Sequence, residues 1–183
     1  MAFVVEDGTG LSTATSYVSV SDTKEVLTTY GYDYSGYVEN DFEVALNIAT
    51  VALNAQYRTH WLNNGDLLTA TQILDWPRED ANYVSGQDIV EDAVPVEIEN
   101  ATALLAYVTL TGNNIQPTYS SASGGIQKYA VETGPIKEST TYFSGLSPNN
   151  SRDVYTSVQD QLSKITGGSD PRYNIRPIKV AYA

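Results

Sequence analysis

Cysteine is missing from all 183 residues, which removes disulfides, thiolate metal ligands and thiol nucleophiles together and fits a reducing compartment. Histidine occurs once, at His60. With no cysteine and no spaced carboxylate pair on its helix face, it is expected to be structural or solvent-exposed, not a metal ligand or base. Positive charge is scarce. Ten Lys and Arg stand against 22 Asp and Glu for a net charge of −12, and only 17% of residues are charged. The expected surface is acidic yet mostly uncharged. No apolar run is long enough to span a bilayer, and the N-terminus lacks a basic stretch leading into an apolar one, so neither a membrane partner nor export is expected. Apolar residues make up 42% of the chain, enough for the core of one domain plus an extension.

Two proline signals frame the helices: Leu74-Asp75-Trp76-Pro77-Arg78 closing one helical region and Val94-Pro95-Val96-Glu97-Ile98 opening the next. From Asp41 to Tyr57, the residues Phe42, Ala45, Leu46, Ala49, Ala52, Leu53 and Tyr57 recur at three- and four-residue steps, the stripe of an amphipathic helix. From Pro95 to Thr111, Ile98, Ala101, Leu104, Leu105 and Val108 share one face, with proline suited to the first turn and Gly112 placed to end it. The small residues Ala45, Ala49, Ala52 and Ala101 let these helices approach closely, and Trp76 is expected to close the end of their interface. A short helix is predicted after Ser21, with Asp22 and Glu25 at capping-box spacing and Gly31 as its stop. Another helical turn or two is predicted over Ala70–Leu74.

Phe3-Val4-Val5 reads as a strand or extended arm entering a turn at Asp7-Gly8-Thr9-Gly10, which lacks the third glycine and following helix of a phosphate loop. Tyr32-Asp33-Tyr34-Ser35-Gly36-Tyr37 could stack bases, but no basic residue occurs between Lys24 and Arg58. Tyrosines at subunit contacts or packed under a loop are the preferred reading. Asp88, Glu91 and Asp92 precede the Pro95 helix, where carboxylates complement its positive end. Beyond a polar stretch from Asn113 to Gly125, alternation over Ile126–Phe143 around Gly134-Pro135 reads as a β-hairpin or pair of extended strands. Such a pair leans on the helices or on a neighbouring subunit. A last helix follows Pro148, with Val154, Val158, Leu162 and Ile165 in one stripe. The tail from Asp170 interleaves Tyr173, Ile175, Ile178, Val180 and Tyr182 with Arg172, Arg176 and Lys179. It suits a groove or sheet edge on another protein, or a strand folded back on its own domain.

Val5-Glu6-Asp7-Gly8-Thr9-Gly10, Ser16-Tyr17-Val18-Ser19, Trp76-Pro77-Arg78 and Val94-Pro95, in this order and spacing, resemble a family of tailed-bacteriophage proteins. These are head-to-tail adaptors, or head completion proteins, which often carry the label "DnaT-like single-stranded DNA-binding protein". The likeness runs through roughly the first three-fifths of the chain, then more loosely to Gly134-Pro135-Ile136. It implies a ring of twelve copies between the portal and a tail or nozzle component, at the head–tail junction of the virion after assembly in the host cytoplasm. A helical body would surround a channel, with a C-terminal extension docking on the portal protein. The long polar insert at Asn113–Gly125 and the extended end depart from that pattern.

The expected fold is mainly α: a small helical bundle with a β-hairpin or extended insertion and an extended C-terminal arm. The divisions are residues 1–112 as body with N-terminal arm, 113–148 as polar loop and hairpin, 149–168 as C-terminal helix and 169–183 as docking arm. No nucleophile with its base, no carboxylate pair in a cleft motif and no cofactor fingerprint is legible, so neither an enzyme nor a cofactor is expected. The two readings that stand are an adaptor, whose acidic channel lets genomic DNA slide through without specific binding, and a single-stranded DNA-binding protein of the DnaT-like type. Strand binding by counterion release needs Lys and Arg, which a net charge of −12 opposes. For the adaptor, Arg172, Tyr173, Ile175, Arg176, Ile178 and Tyr182 are the expected portal contacts. Ile126, Tyr129, Val131, Ile136, Tyr142 and Phe143 are the expected contacts to an adjacent subunit or tail component.

Overall fold

α3 (Val96–Leu110) is apolar almost all round, with Ile98, Ala101, Ala103, Leu104, Leu105, Ala106 and Val108 buried. A helix of that kind must be covered on every side. α2 (Glu39–Trp61) and α4 (Asn149–Thr166) each pack along it, and α1 (Val20–Thr29) covers part of the remainder. The computed structural model describes residues 2–62, 64–113 and 115, the strand segments 129–130 and 139–140, and the helix 149–166, with side chains of that helix from residue 156. The predicted mainly helical class is what is found: four helices among the described residues, with an antiparallel pair of β3 (Tyr129–Ala130) and β4 (Ser139–Thr140) in the register Tyr129↔Thr140. Ala45, Ala49, Ala52 and Ala101 lie in the core as expected, and α2 and α3 pack on each other.

Three local expectations are corrected. α1 begins earlier than the Asp22–Glu25 spacing suggested. Ser19 holds extended backbone and its hydroxyl accepts from the Asp22 N–H at 3.1 Å, so serine, not aspartate, is the cap. α2 is longer than Asp41–Tyr57, because the Asp41 carboxylate accepts from the Val38 N–H at 3.0 Å and Trp61 extends the buried stripe one turn. Ala70–Leu74 is not helical. Residues 62–95 form a loop containing a second antiparallel pair, β1 (Asp66–Leu67) with β2 (Arg78–Glu79), and side chains take over the backbone pairing that a helix would have supplied.

That loop accounts for the Trp76-Pro77-Arg78 signal. Trp76 is fully buried, edge-on to Trp61 with ring centroids 6.2 Å apart, and its bond to Pro77 is cis. The Gln72 side-chain amide donates to the carbonyls of Leu74 and Pro77 at 2.9 and 3.0 Å. Arg78 is buried and donates to the carbonyls of Asn64, Gly65 and Asp75. The N-terminal signal closes onto the same loop. The buried Glu6 carboxylate accepts from the N–H groups of Gly8, Gly10 and Leu11, and Val5 bridges to Ser16. Gly8, at φ +95°, lies so close to Asp92 that an added Cβ would stand 2.2 Å from its carbonyl oxygen. Tyr17 completes the clamp, donating to Asn54 at 2.6 Å and accepting from the Asp75 N–H at 3.0 Å.

Candidate functional site

Binding a nucleic-acid backbone requires cations that are not already taken. Four basic side chains are described, and each has a partner within the chain. Lys24 sits over the Phe42 ring at 5.1 Å, Arg58 pairs with Asp75 at 3.1 Å, Arg78 is enclosed by carbonyls, and Lys164 pairs with Glu97 at 2.9 Å. Charge is also divided along the chain. Residues 1–112 hold 17 acidic and 3 basic residues, net −14, whereas residues 113–183 hold 5 acidic and 7 basic, net +2. The cations that no described contact accounts for therefore all lie beyond residue 112.

The tyrosine-rich linker is packed as expected for rings under a loop. Tyr32 stacks on Tyr107 of α3 with centroids 4.5 Å apart, Tyr30 lies parallel to Tyr32 at 6.2 Å, and Tyr34 meets Phe42 edge-on at 6.0 Å. Tyr107 reaches the Asp33 carbonyl at 3.3 Å, and Gln161 of α4 donates to the Tyr30 hydroxyl at 2.9 Å. These rings use their faces on one another, tying the α1–α2 linker to α3 and α4. Asp33 is the charge among them, the wrong sign for a base-stacking platform on a phosphate strand.

One buried carboxylate anchors α4. Glu97, 5% exposed, accepts from Lys164, 63% exposed, and from the Tyr83 hydroxyl at 3.2 Å. Burial pushes its carboxyl up, but hydrogen bonds from Lys164, its own backbone and Tyr83, with the Lys164 charge, outweigh that and hold it below 4.5. An acid held below its unfolded value stabilises the fold above that value and loses the contribution as pH falls through the folded one. Glu97→Gln is therefore expected to flatten the acid limb of a stability-against-pH curve below about pH 5. An unchanged acid limb in urea titrations would show that the pairing is energetically idle.

A feature that sequence reading missed is the outward face of α2. Val44, Ile48 and Val51 are 50%, 45% and 67% exposed, and exposed Ala55 continues their line. Residues 44–57 contain no charged side chain. The signal was present in that uncharged run, but apolar residues on the outer face were submerged in the stronger inward stripe. Among the described residues, no group of His, Asp or Glu is arranged to hold a metal, and no helix is long and apolar enough to cross a membrane. His60 packs beside Tyr57 with ring centroids 6.1 Å apart.

Of the expected contact residues, Tyr129 lies in β3, paired with Thr140. Ile126, Val131, Ile136, Tyr142 and Phe143 lie outside the described residues, as do Arg172, Tyr173, Ile175, Arg176, Ile178 and Tyr182. A protein family described as "Putative DnaT-like ssDNA binding protein" matches residues 1–180. No curated protein and no solved structure matches the chain.

Proposed function

The chain belongs to this DnaT-like family, and from that premise we propose that it is a structural assembly subunit, the head-to-tail adaptor of a tailed-phage virion. On this reading a ring of copies sits between the portal and a tail component at the head–tail junction, and the acidic bodies line or flank a channel through which the genome slides. The carrying observation is the pairing of two properties in one body. Every described cation is already partnered, while α2 holds valine and isoleucine out to solvent. Such a body repels phosphate and favours protein contact. The reading is non-enzymatic and involves no cofactor.

The experiment is to mix the full chain with purified portal rings encoded beside it and to follow decoration by sedimentation and electron microscopy. Stoichiometric decoration is expected. Removing residues 169–183 is expected to abolish it while far-UV circular dichroism stays helical. Undiminished decoration by the truncated chain would move the docking surface off the arm, and failure of the full chain to decorate would defeat the adaptor reading.

The family description names single-stranded DNA binding, and it supports that second reading rather than the ring. One observation of this chain favours it too: 7 of the 10 basic residues lie beyond residue 112, so a strand-binding surface would draw its cations from there.

A further inference from the structure

The outer face of α2 is an unfinished surface. Val44, Ile48, Val51 and Ala55 fall at steps of four, three and four residues, which aligns them along one side of the helix for about 17 Å at 1.5 Å per residue. α2 spends its opposite side on α1 and α3, and its outer side is exposed among the described residues. Single exposed apolar residues are ordinary, but an aligned set on a helix uncharged over 44–57 is a contact face.

Charge disfavours an acidic occupant. The end of the stripe nearest the helix start carries Glu39, Asp41 and Glu43, and the body as a whole holds net −14. A second body placed against this face would bring an equal negative charge with it. The stretch 126–143 is neutral, with Lys128 and Lys137 against Glu132 and Glu138, and it supplies Ile126, Val131, Ile136 and Phe143 as apolar groups. Its strand pairing is a short one, of a kind that needs a surface to rest on. Four aliphatic side chains make a contact far below the roughly 800 Å² per partner of a stable pair, so it accumulates only when copies are gathered side by side.

We propose that the outer face of α2, through Val44, Ile48, Val51 and Ala55, receives residues 126–143 of a second copy of this chain. The contact is heterologous, α2 of one copy against the hairpin of the next, so it propagates around a closed ring instead of stopping at a dimer. This deepens the assembly reading and rests on it.

The test uses the full chain with Val51 replaced by the photoreactive residue p-benzoylphenylalanine. ¹⁵N-labelled and unlabelled chains are mixed, first at high concentration and then on portal rings, irradiated, and the linked peptides identified by mass spectrometry. The expected product joins position 51 to a peptide within 126–143 and contains one labelled and one unlabelled partner. Val51→Glu and, separately, Val44→Glu are expected to weaken self-association at least tenfold in sedimentation. Val96→Glu, equally exposed at the start of α3, is expected to leave it unchanged. Links within one isotope only would assign the face to the chain's own hairpin and overturn the proposal, as would links from α2 to α2. Absence of any link to residues 126–143 on decorated portal rings would overturn it as well. Decoration of portal rings separates the two levels. If Val51→Glu decorates and closes rings like the parent, the α2 contact fails and the adaptor reading stands. If the parent does not decorate, the adaptor reading itself fails.

Discussion

Arg78→Met is expected to cost about 4 kcal/mol of stability, seen as a lower urea midpoint with an unchanged slope. Arg78 is 4% exposed and its fork reaches three carbonyls from two stretches of the 62–95 loop: the adjacent Asn64 at 2.9 Å and Gly65 at 2.6 Å, and Asp75 at 3.1 Å. Methionine fills much of the volume yet leaves those acceptors without a donor, and each buried orphan costs about 1–3 kcal/mol. Burial lowers the pKa of Arg78 while Asp75 and Asp66 counter it, so the cation is held by charge as well as by the carbonyls. Arg78→Lys should recover only a minor part, because one ammonium cannot span three acceptors in a plane. A loss under about 1 kcal/mol in Arg78→Met would mean that the loop is held by something other than this fork.

Trp76→Ala is expected to cost a similar amount, about 3–5 kcal/mol, for a different reason. The indole is wholly enclosed, meets Trp61 edge-on, and through it joins Tyr57, whose ring lies 6.0 Å from Trp61. Truncation opens a cavity where the loop seals the end of α2. The indole N–H has no hydrogen-bond partner in the described protein, so Trp76→Phe discards a donor that was already costing stability. That change should therefore cost much less, about 1 kcal/mol. Urea unfolding followed by far-UV circular dichroism, which does not depend on either tryptophan as a probe, measures both. Equal losses for Phe and Ala would show that the N–H matters and the ring volume does not.

The helices were legible in the sequence because their signals are periodic. The stripes of α2 and α3 placed the alanines and leucines that now form the core, and the Pro95–Gly112 pair bracketed α3 within a residue or two. The loop 62–95 was not legible, and the reason is physical. Trp76-Pro77-Arg78 looks like punctuation after a helix, whereas its function depends on partners 13 and 14 residues away, which no local pattern announces. The same holds for Glu6, an unremarked carboxylate in sequence that organises its own turn by accepting three N–H groups. Thus the motifs that suggested the family are structural: they clamp the N-terminus, the loop and α2 together. The candidate surface lies elsewhere. Its trace in the sequence is the uncharged run 44–57, which lies beneath the stronger periodic signal of the inward stripe.

The charge division also explains how one chain can carry a strand-binding family description and an acidic body. Most of the positive charge belongs to residues beyond 112, and the protein contact proposed for the body is the outer face of α2.

The most direct test of this account is a titration of fluorescently labelled oligothymidine with the full chain, followed by anisotropy across a salt series. The account predicts no saturation at physiological ionic strength up to about 100 μM protein, at or beyond the weak end of ordinary non-specific binding. Micromolar or tighter binding that falls steeply as salt rises would contradict it and give the protein to the single-strand reading.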